Sequence, residues 1–334
     1  MRRGVLGLAG AVAVLAGGPV TGAAAAGPCP HEWSFTKPAR SIYKAVPVPS
    51  LAPSATQLTY DGIALRPRKV PKGKRVPGAV VLHGRGGNKC SLWWAARLLA
   101  SRGYVALVLT MPPGDTVREA STEGARAARA GVRFLRSKAN PYRKVTQRNN
   151  LGLVGHSQGS MGASIVQGEM KAVRAMVGFD NLRTYGYSDP GGIGCAAPAD
   201  PVKPRVPALG VGSETGCGDD PALTDKRAGF HAWKAKGIPA MEAVLAGMTH
   251  PLFGGGAPYD AGHTTKLRRA AYYMTNWLDR WLRGRKAAVG RLLSSNPMGV
   301  PVDQMLSGAG APFASAAFLP GRIDCEDLRA CLGP

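Results

Sequence analysis

The thirteen residues from Asn150 to Gly162, NLGLVGHSQGSMG, restrict the fold more than any other stretch of the chain. Leu151, Leu153 and Val154 read as a short buried strand. From Gln158 to Lys171, Met161, Ile165, Val166 and Met170 recur at helical spacing. Between the two lies Gly155-His156-Ser157-Gln158-Gly159, a strand-to-helix turn too sharp for large neighbours, with the serine at its apex. In a chain this rich in glycine the five-residue pattern alone would arise by chance roughly 0.3 times, so it is the flanking strand and helix that carry the reading.

On both sides of this turn the chain alternates strand and helix. Strands are expected at Gly78 to Leu82, Tyr104 to Leu109, Ala172 to Phe179, Val206 to Gly212 and Pro239 to Ala246. Helices are expected at Ser91 to Arg102, Thr116 to Lys138, Pro221 to Lys236 and Leu267 to Leu282. Such alternation predicts an α/β fold with a mostly parallel central sheet covered by helices on both faces. Ala55 to Leu65 is expected to form a hairpin around Asp61-Gly62. The proline-rich linker from Asp180 to Arg205 is too short for a large cap domain. An open cleft is therefore expected, walled by that linker and by Leu252-Phe253. Trp93 and Trp94 fit either this wall or the core of their own helix.

Residues 1 to 26 have the form of a secretory signal: Arg2-Arg3, an apolar run from Val5 to Ala16 and an alanine-rich exit. The expected organisation is a signal peptide (1–26), an extended lead-in (27–54), a catalytic domain (55–286) and a tail packed on it (287–334). No later segment is apolar enough to cross a membrane. All six cysteines follow the signal, which in an oxidising compartment suggests up to three disulfides. The expected pairs are Cys29 with Cys90, Cys195 with Cys217, and Cys325 with Cys331. No clustered Cys/His spacing suggests zinc.

The formal charge of +23 should draw the exported protein to anionic cell-wall polymers or membrane surfaces. Nucleic acid is not an expected partner, because no helix-turn-helix, zinc-finger or aromatic RNA-binding signature accompanies the charge. The densest basic run, Arg66 to Arg75, reads as a solvated loop.

A serine hydroxyl attacks only when a base takes its proton, and the base needs a third group to fix its tautomer. With Ser157 as nucleophile, His250 is the expected base, because it follows the last strand in AGMTHP; His263 is the substitute. Two loops offer the acid. Asp180 directly follows the strand after the serine turn, and Glu214, Asp219 and Asp220 follow the next strand. Both can reach one histidine, since adjacent strand ends lie about 5 Å apart. Asp180 ranks first because it sits tight on its strand end. The backbone N–H groups of Gln158 and of Arg85, in the His83-Gly84-Arg85-Gly86-Gly87 loop, are the expected donors to a developing oxyanion. That glycine loop lacks the lysine and Ser/Thr of a phosphate cradle. No metal or organic cofactor is implied.

From about Gly78 to Leu293 the chain resembles secreted serine esterases of the α/β-hydrolase superfamily. The likeness is to the dienelactone hydrolase, cutinase-like polyesterase, chlorophyllase and platelet-activating-factor acetylhydrolase group. His83-Gly84, Gly155-His156-Ser157-Gln158-Gly159, Phe179-Asp180 and Thr249-His250 carry the resemblance. It implies the α/β-hydrolase fold and cleavage of small, lipidic or polymeric carboxylic esters through an acyl-enzyme. In the chlorophyllase and acetylhydrolase branch the acid follows the strand after the elbow, which points to Asp180. In the polyesterase branch it follows the next strand, where this chain departs from the usual form. A peptidase or amidase with the same triad, and a catalytically silent wall-binding protein, are the alternatives.

Overall fold

The structure is a computed structural model that describes residues 29, 43–51, 60–114, 117–180, 182, 203–215, 223–254, 261–301, 306 and 313–314. The expected signal, the expected pairings Cys195–Cys217 and Cys325–Cys331, Asp219, Asp220 and most of the linker after Asp180 lie outside these residues. Nine strands form one sheet: β1 (Tyr43–Leu51), β2 (Tyr60–Pro67), β3 (Val76–Leu82), β4 (Val105–Leu109), β5 (Thr146–His156), β6 (Val173–Phe179), β7 (Ala208–Thr215), β8 (Ala240–Thr249) and β9 (Phe313–Ala314). Their spatial order is β1-β2-β4-β3-β5-β6-β7-β8-β9. The run from β4 to β8 is parallel, and β1, β2 and β9 pair antiparallel at the edges.

The central strands are apolar throughout because both of their faces are covered. Successive side chains point to opposite faces, and β3 shows the consequence. Ala79 and Val81 join one core with Trp94, Leu98, Met274 and Leu278, whereas Val80 and Leu82 join the other with Ala128, Leu135, Val166 and Trp233. The first layer is built by α1 (Trp93–Ser101) and α6 (Ala261–Arg283). The second is built by α2 (Val117–Arg136), α3 (Gln158–Glu169) and α4 (Leu223–Ala235). Two short helices, α5 (His250–Phe253) and α7 (Ala287–Leu292), complete the set.

The chain leaves β3 through α1 to reach β4 on one side. It then crosses through α2 to reach β5 on the other side. Reversing the direction of stepping while keeping right-handed crossovers puts those two helices on opposite faces. It also opens a crevice beyond the carboxyl end of β3, where open α/β sheets bind ligands.

Three expectations need correction. Asp61-Gly62 is no hairpin turn: both residues lie inside β2, and Gly62 pairs with Val48 on one side and Leu109 on the other. Alternation around a turn-like dipeptide is indistinguishable in sequence from a strand with a glycine where two neighbours approach. The lead-in is not merely extended, since Tyr43–Leu51 is the edge strand. The tail is more regular than expected, because Phe313–Ala314 adds antiparallel to β8 and buried Leu306 bridges to Leu245. Such short pieces carry too few residues to show a period.

Cys29 and Cys90 form the expected disulfide, with Cα atoms 5.3 Å apart and a sequence separation of 61. Cys29 is buried beside the α1 core, so the bond ties the amino-terminal segment to the loop that enters α1. Closing so long a loop restricts the unfolded chain, and removing the bond by Cys29→Ser with Cys90→Ser is expected to lower stability by about 2–4 kcal/mol, read as a fall in the urea midpoint.

Candidate active site

Ser157 links β5 directly to α3 and adopts φ 51°, ψ −116°. This region is sparsely populated for a residue with a Cβ and costs on the order of 1–3 kcal/mol. Neighbouring strand ends hold it there. The Ser157 N–H donates to the Phe179 carbonyl at 3.2 Å, and the Gly159 N–H donates to the His83 carbonyl at 3.1 Å. The glycines on either side are required by space: a Cβ at Gly155 would meet the Gly159 carbonyl oxygen at 2.3 Å, and one at Gly159 would meet that of Leu82 at 2.3 Å.

Asp180 lies one residue past β6, and its N–H donates to the Val211 carbonyl at 2.8 Å. It too has a positive φ, 72°, which aspartate tolerates better than most residues. Its carboxylate is buried. Oδ1 accepts from the Ser213 N–H at 2.9 Å and from the Ser213 hydroxyl, and Oδ2 faces Nδ1 of His250. With Asp180 accepting, Nδ1 carries the proton and Nε2 keeps a free lone pair. Ser157 is half-buried, and its hydroxyl makes no hydrogen bond to a described residue, nor does His250 Nε2. The Ser–His bond is thus open here, a contact that in ligand-free sites tightens when substrate arrives.

His250 is the first residue of α5 rather than part of an irregular loop. The far end of that helix is anchored twice: Trp94 Nε1 donates to the Phe253 carbonyl at 3.2 Å, and His263 Nε2 donates to the Leu252 carbonyl at 2.8 Å. His263, the substitute base expected from the sequence, thus has its Nε2 engaged in anchoring α5. Phe253 is fully buried, stacked on Phe179, and Trp94 packs on Phe179 with centroids 5.4 Å apart. Trp93, Trp94 and Phe253 are core residues, which corrects the expectation that Phe253 walls an open cleft. Glu214 is exposed, and its Oε2 accepts from the Gly247 N–H at 2.6 Å, so it staples two strand ends without meeting His250.

Of the expected oxyanion donors, Gln158 directly follows Ser157, and Arg85 follows Gly84, where an added Cβ would meet Ser157 Cβ at 3.2 Å. The Gln158 N–H opens α3 and has no acceptor among the described residues, as expected for the first helical position. Gln158 is buried, and its side-chain Nε2 donates to the Pro112 carbonyl at 2.9 Å, tying the loop after β4 to the elbow. Arg85 is exposed in the loop after β3. Buried His83 pins that loop: its Nε2 accepts from the Met111 N–H at 2.7 Å while Nδ1 donates to the Gly84 carbonyl at 2.6 Å. Burial pushes its pKa down, so it stays neutral and keeps this tautomer.

Two participants were missed in sequence. Ser213 is one, because its role depends on the Phe179↔Val211 register, which carries it past Asp180. His156 is the other. It is buried against His250, with ring centroids 4.7 Å apart, and neither of its nitrogens has a hydrogen-bond partner among the described residues. Burial first, and then the charge His250 would carry, push its pKa down to about 3.

Among the described residues no group of His, Cys, Asp or Glu is placed to hold a metal ion, and no helix is long and apolar enough to cross a membrane. Comparison with protein-family models and with curated proteins found no match.

The depressed pKa of His156 gives a stability prediction. Unfolding restores an ordinary histidine of pKa about 6.5, so above that value the group adds no pH dependence. Below it the unfolded chain gains a proton that the folded chain does not take up until about pH 3. Stability is expected to fall through this window by up to about 1.4 kcal/mol per pH unit. Denaturant unfolding across that pH range should show a shallower slope in His156→Gln than in the parent.

Proposed function

We propose that the chain is a secreted serine hydrolase of the α/β-hydrolase fold that cleaves carboxylic esters through an acyl-enzyme. The observation that carries this reading is the meeting, at one rim of the sheet, of His250 Nδ1 with the Asp180 carboxylate beside a serine held in a strained elbow. A reactive serine needs this arrangement, and a core needs none of it. The order Ser157, Asp180, His250 along the chain is the one the fold uses. The parallel sheet, its layers and the position of the crevice agree with it.

In the proposed reaction Ser157 Oγ attacks the ester carbonyl carbon while its proton passes to His250 Nε2. Asp180 holds the ring and stabilises the imidazolium. The carbonyl oxygen becomes an alkoxide that accepts hydrogen bonds from the Gln158 and Arg85 amides. Collapse expels the alcohol, which takes the proton from His250. Water then repeats the sequence on the acyl-serine, releasing the acid and restoring Oγ–H. Export is supported by the form of residues 1 to 26 and by the Cys29–Cys90 disulfide, since such bonds are rare in reducing compartments.

Hydrolysis of p-nitrophenyl esters across a range of acyl lengths tests this. Ser157→Ala is expected to lose about 10⁴-fold or more in kcat and all labelling by a fluorophosphonate, and Asp180→Asn about 10⁴-fold. Glu214→Gln should stay within about twofold of the parent, as a surface substitution does. Turnover that persists in Ser157→Ala would remove the nucleophile assignment, and a larger loss in Glu214→Gln than in Asp180→Asn would move the acid.

A further inference from the structure

Among the described residues the basic charge is not spread evenly over the fold. In a parallel sheet every strand begins at one edge, and the helices leading back to the strands end there too. That edge lies opposite Ser157, and it gathers the cations. The β2–β3 loop, residues 68–75, contributes five basic residues and no acid, and the stretch 136–148, from the last residue of α2 into the start of β5, contributes five more and no acid. Lys171 and Arg174 flank the start of β6, and Arg283, Arg285 and Lys286 end α6. The opposite edge differs. Its described connections carry Arg85 and Lys89, the latter paired with Asp61 at 2.6 Å, alongside the acids Asp180 and Glu214.

At the centre of the basic edge lies a groove of about 490 Å³ lined by Arg136, Asn149, Glu169, Lys171 and Arg174, with Met170 and Ala172 beneath. Arg136, Lys171 and Arg174 are exposed, and none has an acid partner among the described residues. The one acid present, Glu169, accepts from Nε and from one terminal nitrogen of the Arg129 guanidinium at 2.7 and 2.8 Å, which neutralises it. The groove therefore keeps a net positive potential.

We propose that this edge docks a hydrated linear polyanion with phosphate groups along its chain, seated in the groove by Arg136, Lys171 and Arg174, with the Ser157 edge facing away. Two guanidinium forks within one groove suit phosphate oxygens, which accept paired N–H donors. A bilayer fits less well. The only large exposed hydrophobic side chain among the described residues is Met298, so this face has no apolar wedge to insert. A nucleic acid also fits less well, because among the residues whose side chains are described no exposed aromatic ring lies on this edge to stack a base, and Tyr142 there is buried. The proposal stands apart from the hydrolase reading and needs no catalytic residue.

Binding of the intact protein to inorganic polyphosphate, followed by fluorescence anisotropy, tests it. Affinity is expected to fall at least tenfold between about 50 and about 200 mM salt, as counterion release requires. The reversal Arg136→Glu/Lys171→Glu/Arg174→Glu should weaken binding tenfold or more, and the milder triple change to Gln should weaken it less. A charge-matched reversal in the first turns of α6, Lys266→Glu/Arg268→Glu/Arg269→Glu, should change it less than twofold. Equal losses in the two reversals would mean that net charge alone is read and would overturn the groove. Tighter binding to phosphatidylglycerol vesicles or to single-stranded DNA than to polyphosphate would overturn the choice of partner.

Discussion

The candidate site depends on three strand ends sharing backbone hydrogen bonds at one level of the sheet. Phe179 accepts from Ser157, Val211 accepts from Asp180, and His83 accepts from Gly159. Two non-glycine residues with positive φ, Ser157 and Asp180, sit on adjacent strands within this lattice. Neither conformation is favourable on its own. Each persists because the strands are fixed by cores on both faces, so relaxing one dihedral would break paired backbone groups in a place where water cannot replace them. The sheet thus holds the serine out of an ordinary helix start, half-buried at the carboxyl rim of the strands.

The same buried setting decides the electrostatics. The Asp180 carboxylate is removed from water but is compensated by Ser213 on one oxygen and His250 on the other. A buried carboxylate left half-paired would be expensive, so the hydroxyl of Ser213 does more than decorate the acid: it fills the valence that His250 leaves open. His156 makes the opposite kind of contribution. Its ring touches that of His250 and stays neutral, so it packs the candidate base in place without adding a second positive charge next to it. A residue of that shape that ionised readily would oppose imidazolium formation at His250.

Much of this was legible in the sequence, for identifiable reasons. The serine turn announces itself because its glycines are demanded by atoms only a few residues away, and strand and helix periods flank it. Asp180 could be placed above Glu214 because it directly follows its strand, and the structure puts the two carboxylates on different partners, His250 and the Gly247 amide. What stayed hidden depended on register or on distant packing. Ser213 meets Asp180 only through the β6–β7 pairing. Trp94 could not be assigned to core or cleft until Phe179 and Phe253 were seen to surround it. The edge strand β1 and the two-residue β9 were invisible because proline-rich or very short segments show no period.

Part of the charge asymmetry follows from the fold itself. Helix carboxyl termini carry partial negative charge and favour cations nearby. Every long helix of a parallel sheet ends at the same edge, so Arg133 and Arg136 closing α2 and Arg280 and Arg283 closing α6 have a local reason to be there. Arg283 and Arg285 also compensate Asp279, which in turn accepts from Tyr104 in the core. That reasoning does not reach the loop at 68–75, which follows a strand and precedes a strand, with no helix end to complement. Nor does it reach Arg174, which points out of the start of β6. Cations gathered beyond what the helix ends call for raise the potential of the edge, since like charges this close repel, even where one of them, Arg174, also donates from Nε to the Asn149 carbonyl at 3.3 Å. Their accumulation there is better understood as a property of what the edge meets in solution than of how the chain folds.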